Sequence, residues 1–536
     1  MKENKSSNRI RQFWTKFTNI TSSKIGKVTG KELAFIFSIF FILVLFGSFS
    51  LDDYGIHVDD FIQAKYGELI SLKLVNPNNN NYLNLSNLRF YGPIYEVFLH
   101  LIISFFGLTR ETIDFFYTRK FITYIIFLIG CLFYYLLLRR HFNFFVTSIA
   151  TLLLFSIPSY FGYAQVTTKE IPLISFTIIS FYFLDRYLKE TTRRNIFLHF
   201  LFLSVAIAIR PSALTYLPIT FLFILTDEIK NYKRFWKYIK QRGRPLLLNL
   251  ILAVVTIFTV VLIFDPHLRE DPFNRYIERL EFMSSFDNEG SIMIDGQVMK
   301  VSESKTADMF VIGLKKVPEI FMLFSLTGFI TGIVFLFKTP LKKTFTKNRL
   351  FIIGFLWLFI PLLSVFIKET KFYNFRHLLI FLPPLGIFLA YGINLIVKRK
   401  DYFGKVFVGI IILGSIYQTY TIFKLFPYEI AYFNEISGGL QKNSELYSNY
   451  PEGLAEAEAI IKVCEDDEEV LISGPFVSIY LPYYCQNAKY SDKYEQSDYI
   501  ITYDFYEKLQ PVPNDTKLIN TIERDNASIL NTYKTK

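Results

Sequence analysis

The sequence predicts an all-α polytopic membrane protein of about eleven spans. Its N-terminus lies inside, its C-terminus outside, and a small α/β domain closes the chain on the outer side. Three observations predict this. Hydrophobic residues make up 51% of the 536 residues and charged residues only 20%, with 59 Phe and 35 Tyr, and mean hydropathy is +0.30, outside ordinary globular usage. Basic connectors alternate with paired apolar runs, the pattern that the positive-inside rule produces. After Pro427 the composition turns charged and ordinary over a domain-sized length.

Residues 1–32 form a basic tail (Lys2, Arg9, Arg11, Lys16, Lys24, Lys31 among others) ahead of the first run, Leu33 to Phe49. That run is long enough to cross a core of roughly 30 Å at 1.5 Å per residue. It lacks the small-residue cleavage site of a signal peptide, so the tail stays cytoplasmic and Asp52 emerges outside. Strongly basic connectors then fall at Arg139–His141, Arg186–Arg194, Lys230–Arg244, Lys338–Arg349 and Lys398–Lys405, with two apolar runs between each adjacent pair. The parity requires that 93–108, which is short and carries Glu96 and His100, lie as an interfacial or re-entrant helix.

The membrane module is therefore 33–426, with a first outer loop at 52–119. The run 196–226 is broken only by Arg210-Pro211; as one helix it would be about 46 Å long. As two, it leaves Arg210 below the interface, where a charge costs about 2.5–3.5 kcal/mol unless it meets water or an anion. Snorkelling or an internal carboxylate is the plain explanation and a phosphate at membrane depth the sharper one. From 427 to 536, 453–464 has helical spacing, and 469–473 and 499–503 read as strands. Cys464 and Cys485 share the outer side and are close enough in sequence to pair, whereas Cys131 lies in a span.

The net charge of +11 is spent on membrane-flanking segments and gives no nucleic-acid footprint. No P-loop, GxSxG, CxxC or HExxH occurs. What remains is an outer-facing Asp59-Asp60 pair with His57 beside it. The pair suits a general base acting on a hydroxyl or, with His57 or Glu96, a divalent-cation site; a solvated acidic loop is the plain alternative. His267, at the exit Asp265-Pro266-His267, is a candidate for a ligand or a cavity role.

The order of motifs resembles the polytopic GT-C glycosyltransferases that use lipid-phosphate sugars, and looks closest to the branch of protein O-mannosyltransferases and lipid A aminoarabinose transferases. The matching segments are Asp59-Asp60 followed by Gln63-Ala64-Lys65-Tyr66-Gly67, then Arg89-Phe90-Tyr91-Gly92-Pro93, and Thr167 to Pro172 with Lys169-Glu170. They continue with Arg210-Pro211-Ser212-Ala213-Leu214 and Pro218, Tyr373-Asn374-Phe375-Arg376-His377 with Pro383-Pro384, and Pro427-Tyr428, Tyr432-Phe433-Asn434 and Gly438-Gly439. Asp60 stands where the family has Glu, Glu170 where it has Asp, and 449–455 is a weakened form of a Trp/Asp-rich stretch.

The resemblance implies inverting transfer of a sugar from a polyprenyl-phosphate donor to a lipid, glycan or protein acceptor, on the outer face of a bacterial inner membrane. Asp59 would be the base, and Asp60 would orient it or bind metal. Lys169, Arg210 and Arg376 would receive the phosphate, with His57, Arg89, Tyr91, Glu170, Asn374 and His377 in substrate contact. Asp60, Glu96 and His267 are the candidate ligands of a Mg or Mn ion. A lipid transporter or flippase and a non-enzymatic scaffold are the rival classes. The former would show paired broken helices or internal symmetry, and the latter would tolerate loss of Asp59 and Arg210 together.

Overall fold

A computed structural model describes residues 28–228, 235–285, 290–338, 348–371, 375–448, 453–466 and 469–535. Most of the basic tail, parts of the connectors at 230–244 and 338–349, part of 449–455, and Asn374 lie outside the described residues. Helical segments occupy every one of the eleven expected runs. Among the described residues, seven helices are long and apolar enough to cross a membrane, or eight when the bent pair Phe144–Phe155 and Pro158–Ala164 counts as one. The other three expected spans are Arg193–Ile209, the broken segment from Pro211 to Glu228, and Phe235–Ile263. The first is about 26 Å long at 1.5 Å per residue, short of a roughly 30 Å core.

These helices turn their large side chains outward. Phe37, Phe41 and Ile42 on Gly30–Phe49, and Leu413, Ile416 and Phe423 on Tyr402–Leu425, are each more than 60% exposed. That is the surface of a protein whose solvent is lipid. Contacts between spans need close backbones. A Cβ on Gly328 would lie 1.8 Å from the Phe388 carbonyl oxygen, and one on Gly392 2.1 Å from that of Phe324, so Glu319–Lys338 and Leu382–Lys398 cross at small residues.

At the basic-connector end, buried carboxylates staple the bundle. Glu32 accepts from Arg139 Nε at 2.7 Å and from the Tyr135 hydroxyl at 2.6 Å. Asp185, fully buried, meets Arg140, His141 and Arg349 at 2.6–2.9 Å. His199 is likewise structural, bonded to Ser180 and Thr220.

The outer side is built from three pieces. In the first loop, the helix Val58–Val75 packs on Ile94–Phe105, close enough that a Cβ on Gly67 would meet the Glu96 carbonyl at 2.5 Å. At 12 residues, Ile94–Phe105 is about 18 Å long and cannot cross. It buries Glu96, Leu99 and Ile103 and exposes Leu101, Phe105 and Phe106, the division that an interfacial helix shows. A second loop carries helices Pro266–Glu270 and Pro272–Ser285 and the hairpin β1 (Ser291–Ile294) with β2 (Gln297–Lys300). Its turn, Asp295-Gly296, has both residues at positive φ, as a two-residue hairpin requires.

The third piece is the C-terminal domain. Its strands β3 (Leu471–Ser473), β4 (Lys489–Tyr490), β5 (Tyr499–Thr502), β6 (Lys517–Arg524) and β7 (Ala527–Lys534) form one sheet in the order β4-β3-β5-β7-β6. The first three run parallel, and β7 is antiparallel to β5 and to β6. Helices Leu454–Asp466 and Val477–Tyr484 accompany it, joined by the disulfide Cys464–Cys485 with a Cα–Cα distance of 6.3 Å. The linker after Pro427 is pinned by Asn434, whose side-chain amide donates to the carbonyls of Leu314 and Val317 at 2.9 Å.

The span crossing gives a paired test. Gly328→Ala should cost about 1–3 kcal/mol through forced separation of backbones, read as a lower Tm of the detergent-solubilised protein. Gly409 has nothing within 4 Å of its added Cβ, so Gly409→Ala should leave the Tm unchanged or raise it. Equal losses at both sites would refute the crossing.

Candidate functional site

The site begins at a helix N-terminus. His57 is the N-cap of Val58–Val75, and its Nδ1 accepts the Asp59 backbone N–H at 3.1 Å. Asp59 and Asp60 therefore occupy the first turn, where carboxylates complement the helix dipole. Neighbouring residues on a helix point about 100° apart, so the two acids part company. Asp60 is fully buried and Asp59 has a side chain 41% exposed.

Asp60 Oδ1 accepts from Arg119 Nε at 2.7 Å, and Arg119 Nη2 donates to Glu96 at 2.6 Å, all three residues being at most 1% exposed. One guanidinium thus serves two carboxylates. Burial pushes the Asp60 carboxyl up and Glu96 adds to this, against the pull of Arg119. As candidate metal ligands Asp60, Glu96 and His267 do not converge. Arg119 stands between the first two, and His267 lies in the second loop, edge-on to Phe90 with 6.4 Å between ring centroids. Among the described residues, no three His, Cys, Asp or Glu side chains could together hold a metal. These donors do not fit the Mg or Mn ion expected of them.

Asp59 faces the other way. Arg376, on the 3-10 turn Phe375–Phe381, bonds Asp59 Oδ2 through Nη2 at 2.6 Å and approaches His57 Nε2 through Nη1 at 3.3 Å. Burial pushes the Asp59 carboxyl up, but Arg376 and His57 more than offset it and hold it at about 2. Next to Arg376, His377 Nδ1 donates to Glu170 at 3.1 Å, and Glu170 also takes Arg210 at 2.5 Å. Arg210 occupies an extended residue before Pro211, at the break between Arg193–Ile209 and the turn Pro211–Tyr216.

Gly92 explains how the aromatic-Gly-Pro segment reaches that break, because a Cβ there would lie 1.6 Å from the Ala208 carbonyl. This brings Tyr91 over Arg210, 5.9 Å from ring centre to guanidinium. Lys169 is buried, with Nζ 5.3 Å from the Tyr91 ring centre and 5.5 Å from that of Tyr66, and it has no hydrogen-bond partner among the described residues. Lys169, Arg210 and Arg376 thus share one site with two carboxylates, Asp59 and Glu170. The Lys169 ammonium, drawn also by Glu96 behind the site, is left without a hydrogen-bond partner among the described residues.

Of the residues read from the sequence, His57, Asp59, Tyr91, Lys169, Glu170, Arg210, Arg376 and His377 converge here. Asp60 and Glu96 lie behind the site, and Arg89 and His267 to one side of it. Arg119 went unread; an Arg-Lys pair at the head of an apolar run, opposite an acidic loop, was its only signal. Its neighbour Lys120 donates to the Leu51 carbonyl at 2.7 Å and to that of Tyr54. From the C-terminal domain the Tyr480 hydroxyl donates to the Ile56 carbonyl at 2.9 Å, and Phe61 packs edge-on against Tyr480 and tilted against Tyr483. From the linker Glu429 accepts from Tyr54 at 2.7 Å. The outer domain therefore braces the turn that carries Asp59.

Residues 105–270 match the family model of dolichyl-phosphate-mannose-protein mannosyltransferases. This stretch holds Arg119, Lys169, Glu170 and Arg210, and the match agrees with the resemblance carried by the ordered motifs. Two solved structures of ArnT from Cupriavidus metallidurans are similar to the chain. The one bound to undecaprenyl phosphate has 12% identity and a TM-score of 0.49, and the apo form 10% and 0.48. Each alignment covers 93% of this chain and 97% of that one. No curated protein matches the sequence.

Arg119→Met should abolish accumulation of folded protein, since it strands two buried carboxylates at about 3–5 kcal/mol. Adding Asp60→Asn and Glu96→Gln should restore folded protein, measured by size-exclusion profile and Tm. Wild-type folding of the single variant would refute the triad's structural role.

Proposed function

We propose that this protein transfers a sugar from a polyprenyl-phosphate donor to an acceptor hydroxyl on the outer face of the membrane. The observation that carries this reading is a half-exposed, ionised Asp59 in one site with Lys169, Arg210 and Arg376, at the head of a span bundle. The agreement with the mannosyltransferase family model supports it, as does the ordered set of motifs. A lipid phosphate is a leaving group whose developing charge calls for fixed cations in a water-poor site. Guanidinium suits it bidentately and the unpartnered ammonium as a point charge.

In the step proposed, the acceptor oxygen attacks the anomeric carbon in line and the bond from that carbon to the phosphate oxygen breaks. The electron pair leaves with polyprenyl phosphate, and Asp59 takes the acceptor proton. A carboxylate held at about 2 is ionised at neutral pH but a feeble base. The phosphate competes with Asp59 for Arg376. As the guanidinium turns to the donor, the carboxyl loses its main stabilising partner and its proton affinity rises. Donor binding thereby readies the base, and with no donor bound the salt bridge restrains it. Sugar, acceptor class and the side of a particular membrane follow from this reading as proposals: a periplasm- or exterior-facing site in a bacterial inner membrane, with glycan, lipid or protein as acceptor.

Asp59→Asn should lower kcat by about 10²–10⁴-fold, and lipid mass spectrometry of cells carrying it should show a polyprenyl-phosphate sugar building up as in a deletion. A deletion that changes this pool while Asp59→Asn leaves it alone would remove Asp59 from the chemistry; no change in either would sink the transferase reading. Lys169 supplies a pH test. Burial pushes its ammonium down to about 8, against the pull of Glu96, Glu170 and Asp59. An anionic ligand favours the charged form, so affinity for undecaprenyl phosphate should be full below pH 8 and weaken as pH rises past it. In Lys169→Gln that pH dependence should vanish. The same profile in both proteins would exclude Lys169 as the phosphate's partner.

A further inference from the structure

Beside the proposed phosphate site lies a second polar cluster that no step above uses. It is formed where the turns Asn81–Asn84 and Ser86–Phe90 meet helices Pro266–Glu270 and Pro272–Ser285. Tyr82 Oη, Arg89 Nε, His267 Nδ1 and Nε2, Tyr276 Oη and Arg279 Nε are all shut off from solvent and have no hydrogen-bond partner among the described residues. Tyr82, His267 and Arg279 are each at most 2% exposed. The cluster is otherwise well made. Arg279 Nη2 donates to Asp265 at 2.7 Å and to the Arg89 carbonyl at 3.0 Å, and Phe90 stacks on Phe282 at 4.2 Å.

Each buried polar atom left unpaired costs about 1–3 kcal/mol, so six in one place mark a unit completed by something else. The chemistry of the set narrows what that is. Tyrosine hydroxyls and a neutral imidazole each both donate and accept, whereas the arginine N–H groups only donate. Burial, with Arg275 and Arg279 nearby, holds the His267 imidazole below its ordinary value, hence neutral. An anion only accepts and would leave the imidazole acceptor unserved. Sugar hydroxyls do both.

The cluster also adjoins the phosphate site. Tyr66 packs with Tyr82 on one side, while its ring faces the Lys169 ammonium and its hydroxyl donates to the Tyr91 carbonyl at 3.3 Å. We propose that Tyr82, Arg89, His267, Tyr276 and Arg279 form a saccharide subsite that reads the hydroxyl groups of a sugar ring lying next to the phosphate. The sugar comes either from the donor or from a glycan acceptor, and the inference rests on the transferase reading.

The test uses the full chain in nanodiscs: wild type, Tyr82→Phe, which removes one hydroxyl and keeps the ring, and His267→Leu. The probes are undecaprenyl phosphate and its hexose-, pentose- and aminopentose-bearing forms. Wild type is expected to bind at least one sugar-bearing lipid more tightly than the bare phosphate. Each variant should weaken that binding about 5- to 10-fold while leaving the bare lipid unchanged. If lipid binding is untouched but KM rises for methyl glycosides supplied as acceptors, the subsite holds the acceptor sugar and the proposal stands. Loss of bare-lipid affinity by the same factor would overturn it. So would unchanged binding and turnover together with a raised Tm, the signature of orphaned groups served by water alone. Failure of wild type to bind undecaprenyl phosphate at all would overturn the transferase reading, and this inference with it.

Discussion

Two carboxylates on adjacent residues at the start of one helix cannot look the same way, and the outer half of the protein is arranged around that constraint. Asp60 points inward, where water cannot reach it, and the Arg119 guanidinium answers both it and Glu96. This interaction joins the helix Val58–Val75, the interfacial helix Ile94–Phe105 and the head of Ile113–Arg139 at one point. With that face committed, the helix has no rotational freedom left, and Asp59 is delivered to the opposite face with its direction fixed. The buried pairing earns little net stability by itself. Its product is orientation.

The same economy appears at the other end of the bundle with a different purpose. Asp185 gathers Arg140, His141 and Arg349 from neighbouring segments, which neutralises charges that the positive-inside pattern requires near the membrane. Both ends use buried carboxylates as joints, but only the outer end holds a buried ammonium without a hydrogen-bond partner among the described residues. There Lys169 rests on aromatic rings, drawn by Glu96, Glu170 and Asp59 but hydrogen-bonded to no carboxylate among the described residues. At the basic-connector end the basic side chains gathered on Asp185 are each bonded to it, whereas at the outer end the Lys169 ammonium has no such bond among the described residues.

Much of this was legible because membrane solvation writes coarse rules into a sequence. Runs of apolar residues between basic connectors mark every expected span, and the sidedness rule gathers Asp59, Lys169, Arg210 and Arg376 on one side. Distances within that set were not legible, since they depend on close approaches such as Gly92 against the Ala208 carbonyl. The acidic pair reads as two groups of one outer-facing site, although helix geometry separates them. The convergence of Asp60, Glu96 and His267 expected for a metal is not found, because Arg119, hidden at the edge of an apolar run, stands between the two carboxylates. The hairpin at 291–300 announced itself through Asp295-Gly296 between alternating residues and was overlooked among membrane signals. The β6–β7 pair escaped for a related reason: its polar strands resemble a charged tail. The disulfide between Cys464 and Cys485 was one open alternative that only the fold decided.

The order of strands in the outer domain carries a consequence for assembly in time. Strand β7, from Ala527 to Lys534, is not at the edge of its sheet but between β5 and β6. The sheet therefore cannot close until this late segment has been synthesised. Helices Leu454–Asp466 and Val477–Tyr484, which brace the turn bearing Asp59, flank that sheet. During synthesis at about 5–20 residues per second, the spans can be inserted and the cations gathered while the acidic turn still lacks its outer support. In a nascent chain the turn bearing Asp59 would thus lack its full support until β7 has paired.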